Sequence, residues 1–171
     1  LGRDVRRTLA LVELPSTPKG MHGLSLAGGQ AEPGQRVGMI SHPRLIEVMW
    51  LHGEGWIRQR ARVRLGETSD DGFAEALLLQ APLQEGEEGG PILDAAGALV
   101  GIASGRVRPQ QQVAYAVSTG EIAAFLNEQR GWIEPGSAAE HLARARRFLQ
   151  VREVQIALHE AEAAMALDPN L

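Results

Sequence analysis

The run Gln84-Glu85-Gly86-Glu87-Glu88-Gly89-Gly90-Pro91-Ile92-Leu93-Asp94-Ala95-Ala96-Gly97-Ala98-Leu99-Val100-Gly101-Ile102-Ala103-Ser104-Gly105 narrows the possible folds more than any other stretch. A tight glycine-rich turn enters a short apolar strand. An Asp-Ala-Ala-Gly turn then leads into a second apolar strand, so the segment is a β-hairpin opened by a specialised loop. Glycines at 86, 89 and 90 allow backbone angles that other residues avoid.

A strand-like run lies well before this hairpin. Residues 8–14 (Thr-Leu-Ala-Leu-Val-Glu-Leu) stop at Pro15 and a turn-rich stretch to Gly20. Thr119 is the expected N-cap of a helix over residues 120–130, with Ile122, Ala123, Phe125 and Leu126 on its apolar face. Hydrophobic residues make up 44% of the chain but aromatic ones only 4%, so the core must be built from Leu, Val, Ile and Ala.

The loop Gly86-Glu87-Glu88-Gly89-Gly90-Pro91 and the strand Tyr115-Ala116-Val117 that closes the β region resemble trypsin-like serine proteases, especially the bacterial HtrA type. The family's loop reads Gly-(Asn/Asp)-Ser-Gly-Gly-Pro. The resemblance covers roughly residues 8–130, and it implies a double β-barrel of which this chain supplies mostly the second barrel. It implies a strand at Gly34-Gln35-Arg36-Val37-Gly38-Met39-Ile40-Ser41-His42-Pro43, a strand pair at residues 47–57, the strand entering the glycine-rich loop at residues 73–81, and a closing strand at residues 113–117. It also implies that Glu88 stands where the nucleophilic serine belongs. Matching Leu9-Ala10-Leu11 to the family's (Leu/Ile)-Ala-Leu strand places Thr8 on the aspartate that orients the catalytic histidine, with Asp4 too early in that register. The loop of Gly86, Glu87, Glu88 and Gly89 corresponds to the one that holds the oxyanion, and Ser104, Gly105 and Arg106 to the strand end that pairs with peptide substrate.

These substitutions bear directly on chemistry. A glutamate is ionised at neutral pH and is a poor acyl acceptor for an amide. It sets negative charge where an oxyanion would form, and so opposes the electrostatic stabilisation on which such catalysis chiefly depends. Threonine can accept a hydrogen bond but cannot stabilise an imidazolium by charge. His22, His42, His52, His141 and His159 all follow the aspartate-equivalent strand, so chain order makes none of them the catalytic histidine, and their spacing matches no common zinc pattern. The family's histidine lies upstream, in a half-barrel that this sequence does not include. With Leu1 and no signal-like segment at its start, the chain is expected to be a piece of a longer protein.

Arg58, Arg60, Arg62 and Arg64 alternate with other residues, so a strand here would line four guanidiniums along one face. They are either a site for an acidic partner or a solvated face balanced by Glu67, Asp70, Asp71 and Glu75. The absence of cysteine excludes disulfides and thiolate metal sites but leaves the compartment open. A net charge of −4 gives no push toward nucleic acid, and no apolar run approaches bilayer length.

After Pro135-Gly136 the composition turns to Ala, Leu, Arg and Glu at helical spacing. Residues 138–171 resemble one tetratricopeptide repeat, with Leu142, Ala145 and Phe148 on a first helix and Ala157, Ala161, Ala164 and Leu167 on a second, and with His141, Arg144 and Arg152 at a binding groove or its rim. A generic helical hairpin is the alternative. The expected organisation is a protease-type β-barrel region at residues 1–133, a linker at 134–137, and a helical repeat at 138–171, mainly β with C-terminal α.

The expected function is that of a degenerate protease kept as a peptide-binding or regulatory domain, because addition of a peptide strand needs backbone groups and no nucleophile. The other readings are an endopeptidase whose nucleophile is altered here and whose histidine-bearing half lies outside this chain, and a groove in which Glu87 and Glu88 offer oxygen ligands to a metal. The first calls for no cofactor or metal, and for a protein or peptide partner at the residual groove and the helical module. A half-barrel seam would also need a cover, whether an N-terminal fragment, a second copy of the chain or the helical module.

Overall fold

The structure is a computed structural model, and it describes residues 2–14, 16–44, 49–65, 72–106 and 113–170. The chain divides into two compact units, residues 3–125 and residues 126–171 together with 1–2.

In the first unit, six strands close into a barrel: β3 (Arg36–Ser41), β4 (Leu51–Val63), β5 (Ala74–Gln80), β6 (Pro91–Leu93), β7 (Leu99–Arg106) and β8 (Val113–Ser118), in the order β3-β4-β5-β8-β7-β6. Every neighbouring pair is antiparallel, and Gly38↔Leu93 and Met39↔Ile92 close the ring. Closure leaves the barrel no long open edge. Strands β1 (Gly2–Asp4) and β2 (Leu9–Leu11) form a separate two-stranded sheet.

The barrel interior shows why so few aromatics suffice. Val37, Met39, Ile57, Leu77, Leu79, Ile92, Val100, Ala103, Ala114 and Ala116 fill it, with no aromatic ring among them. In β3 the buried phase runs Val37, Met39, Ser41, the period of 2 expected of a strand with one face inward. A second cluster joins Leu9, Leu99, Val117, Ile122 and Phe125, so helix α1 (Thr119–Glu128) packs on the outside of the barrel through two apolar positions expected of it. Ser118, and not Thr119, supplies its cap: the Ser118 hydroxyl accepts from the Glu121 N–H at 3.5 Å.

The strand pair expected over residues 47–57 is instead the start of one strand, β4, which continues to Val63, while residues 45–48 lie outside the described residues. Its first half pairs with β3 and its second with β5, and the register slips between Ile57 and Gln59. That bulge removes Arg58 from the alternation, so the four arginines do not form one stripe. Arg60 is half-buried and pairs with Glu75 at 3.3 Å, and Arg64 lies over the Phe73 ring at 5.2 Å. Glu67, Asp70 and Asp71, expected to balance the stripe, fall outside the described residues.

In the second unit, α2 (Arg130–Ile133) precedes two longer helices, α3 (Ala138–Gln150) and α4 (Val154–Leu167). Ser137 and Glu140 form a capping box at the start of α3: the Ser137 hydroxyl accepts from the Glu140 N–H and the Glu140 carboxylate from the Ser137 N–H. Ala145, Phe148, Ala157 and Ala164 are buried as the helical spacing predicts, but Leu167 is exposed. Arg144 is also not at an open rim. It is buried, its Nε donates to Glu160 Oε1 at 2.8 Å and its guanidinium bonds the Trp132 carbonyl, while His141 Nδ1 lies 2.7 Å from the other Glu160 oxygen.

Candidate functional site

The glycine-rich loop keeps the turn its sequence demands. Gly86 and Gly89 both have φ +90°, and a Cβ on Gly86 would lie 2.6 Å from that of Arg44. The Gly90 N–H donates to the Glu87 carbonyl at 3.1 Å, and the Gly89 N–H to the Ala103 carbonyl at 2.7 Å, which fastens the loop to β7.

The two glutamates of the loop have different surroundings. Glu87 is 2% exposed, and its carboxylate accepts from the Ser41 hydroxyl at 2.6 Å and from the Gln84 N–H. Glu88 is exposed, and its Oε2 folds back to accept from the Gly86 N–H at 2.9 Å. A backbone N–H of the loop that resembles an oxyanion-holding loop is thus already bonded to an anion from the same loop.

Ser104, on β7 next to the residue that ties down Gly89, reaches Thr8: the two hydroxyl oxygens are 2.6 Å apart. Thr8 also bonds the Arg7 carbonyl at 2.7 Å, and a hydroxyl has one proton to give. With that proton on the carbonyl, Ser104 is the donor and Thr8 the acceptor. Thr8 sits at φ +54°, a conformation that a β-branched residue adopts only under constraint.

The residue before Thr8, Arg7, is held in an ion network. The Arg7 guanidinium bonds Asp4 at 2.6 Å and Glu121 at 2.7 Å, and Glu121 accepts from the Glu75 N–H at 2.9 Å. Asp4 is therefore paired with Arg7. Burial pushes the Glu121 carboxyl up, but the Arg7 hydrogen bond, the Glu75 N–H and the charges of Arg6 and Arg7 outweigh it and hold the group below the ordinary 4.5.

The structure therefore brings Thr8, Ser104 and the loop 86–89 into one connected set. Gly105 and Arg106 extend β7 opposite Tyr115 and Ala114 of β8, while on its other side β6 stops at Pro91↔Ile102. Among the described residues, no strand covers that side of Ser104, Gly105 and Arg106.

Sequence reasoning missed the cavity beside the loop. It measures about 530 Å³, and Glu87 and Glu88 share its lining with Leu24, Ser41, His42 and Trp50. His42 Nδ1 accepts from the Trp50 N–H at 3.1 Å, and the two rings meet edge to face at 4.8 Å. The available signal was Ser41 itself, a polar residue on the phase of Val37 and Met39 that buries its side chain. Among the described residues no three His, Cys, Asp or Glu side chains come together as a metal would require.

A six-stranded antiparallel barrel bearing this loop has the fold of the trypsin-like, HtrA-type serine proteases. The protease Rv3671c of M. tuberculosis in its active form is similar over 72% of this chain and 54% of its own, with 22% identity and a TM-score of 0.60. A mutant of the same protein in its inactive form matches over 65% and 55%, at 21% and 0.58. An HtrA-type protease, AlgW, with a decapeptide matches over 65% of this chain and 33% of its own, at 23% and 0.52. The chain thus spans about half the length of the first and a third of the last. No protein-family model matches the sequence, and no curated protein matches it significantly.

Proposed function

We propose that this chain is a catalytically inactive protease-type domain that binds an extended peptide by its backbone along the end of β7, with the helical hairpin as a tetratricopeptide-type module for a protein partner. One observation supports the first part: the Glu88 carboxylate bonds the Gly86 N–H, in the loop where the resemblance would set the nucleophile at position 88. A reaction at this loop would have to build negative charge beside a carboxylate that already holds one of the N–H donors. Thr8 at the second position offers Ser104 a neutral oxygen, so it adds no charge that could stabilise an imidazolium. The reading as an altered endopeptidase draws no support from this geometry.

Peptide addition needs only an uncovered strand end, and Ser104 to Arg106 supply one. The test has two arms. A fluorophosphonate probe should leave the protein unlabelled, and stoichiometric labelling would overturn the inactive reading. Blocked seven-residue peptides should shift the backbone amide signals of residues 104–106, and unmoved signals across a varied peptide set would overturn the binding reading.

A further inference from the structure

The cavity beside the loop has a charge balance that its walls do not resolve. Glu87, 2% exposed, receives hydrogen bonds from a hydroxyl and a backbone N–H, both neutral, and neither it nor Glu88 has an ion pair among the described residues. Glu88 Oε1 accepts no described hydrogen bond. Among the described lining residues the one basic side chain is His42, and its Nδ1 is already engaged as acceptor of the Trp50 backbone N–H. A carboxylate withdrawn from water with only neutral donors is poorly compensated, and a cation at the same place would offset the cost.

The remaining wall tells what kind of cation fits. Leu24, Ile40, Pro91 and Leu93 make it apolar, and Trp50 lines it while remaining 71% exposed. An ion that keeps its water shell gains nothing from such a wall. A planar guanidinium on an aliphatic stem gains along its whole length: the stem against the apolar wall, the head on the carboxylates, its face available to the indole.

We propose that this cavity is a subsite for an arginine side chain of a bound peptide. The peptide part rests on the binding reading given above. The cavity and its charge are independent of that reading, which allows the two to fail separately.

The experiment uses the full chain labelled with ¹⁵N and two small probes, N-acetyl-arginine methylamide and its citrulline counterpart, nearly equal in shape but neutral. The arginine probe should shift the Gly86 and Gly89 amides and the Trp50 indole saturably, with a Kd roughly tenfold lower than that of the citrulline probe, the size expected of a charge-assisted hydrogen bond. The double variant Glu87→Gln, Glu88→Gln should erase the difference. If its spectrum shows lost folding, Glu88→Gln alone carries the test and should reduce the preference several-fold. Equal Kd values, or shifts confined to other parts of the chain, would overturn the subsite. Shifts at the cavity from the probe, with no peptide moving residues 104–106, would leave the subsite standing and end the peptide-binding reading. Peptide shifts at 104–106 that are the same for arginine and citrulline peptides would do the reverse.

Discussion

Gly86 and Gly89 share φ +90° but not their surroundings: an added Cβ would strike Arg44 in one case and meet open space in the other. Gly89→Ala should therefore cost only the backbone penalty, ~1–2 kcal/mol, while Gly86→Ala adds a steric clash and should exceed ~3 kcal/mol. Urea unfolding of both variants checks the order, and equal losses would mean that the loop moves freely away from Arg44. Ser41→Ala removes one of the two described hydrogen bonds on a buried carboxylate and should cost about 2 kcal/mol in the same assay. Loop identity was legible in the residues because three glycines and a proline in a fixed pattern restrict the backbone. What Glu87 touches was not, since Ser41 lies 46 positions away and only barrel closure brings the two together.

At the scale of elements, the sequence predicted strands better than where each one ends. A strand pair is expected over residues 47–57, yet β4 runs unbroken through Gly53 and Gly55 to Val63, and where this long strand passes from β3 to β5 a small residue is needed: a Cβ on Gly55 would lie 2.5 Å from the Gln80 carbonyl. In the helical unit, spacing found the buried alanines. It could not tell that Arg144 turns inward, because a long basic side chain is assigned to solvent unless its partner is known, and Glu160 is 16 residues on. Arg144→Met should leave Glu160 buried with His141 alone and cost about 3 kcal/mol. Adding Glu160→Leu should recover most of that loss, since an apolar pair avoids the desolvation of both charges. Thermal unfolding of the single and double variants tests this, and a double variant less stable than the single would show that the pair is worth more than its desolvation.

Across the molecule, four carboxyls among the described residues are held below their ordinary value, and two of them, Glu121 and Glu160, are at least partly buried, one in each compact unit. Burial raises Glu160, but the hydrogen bonds from His141 and Arg144 and their charges hold it below 4.5, as Arg7 and the Glu75 N–H do for Glu121. A carboxyl whose folded value is depressed binds fewer protons folded than unfolded. Its contribution is complete above about pH 4.5 and is lost as pH falls through the lowered folded value. Both units should thus lose stability below pH 4.5 and keep it nearly constant, as far as these two groups act, from there to neutrality. Glu121→Gln keeps the shape of the side chain without its charge, so it should weaken the barrel unit at pH 7 and flatten its acid dependence, leaving the α3–α4 pair unchanged. Glu160→Gln should do the converse. Amide exchange followed residue by residue between pH 3 and 7 reads the two units separately. An acid slope in the barrel unit that survives Glu121→Gln would assign the dependence to other carboxyls and remove the Arg7 network as its cause.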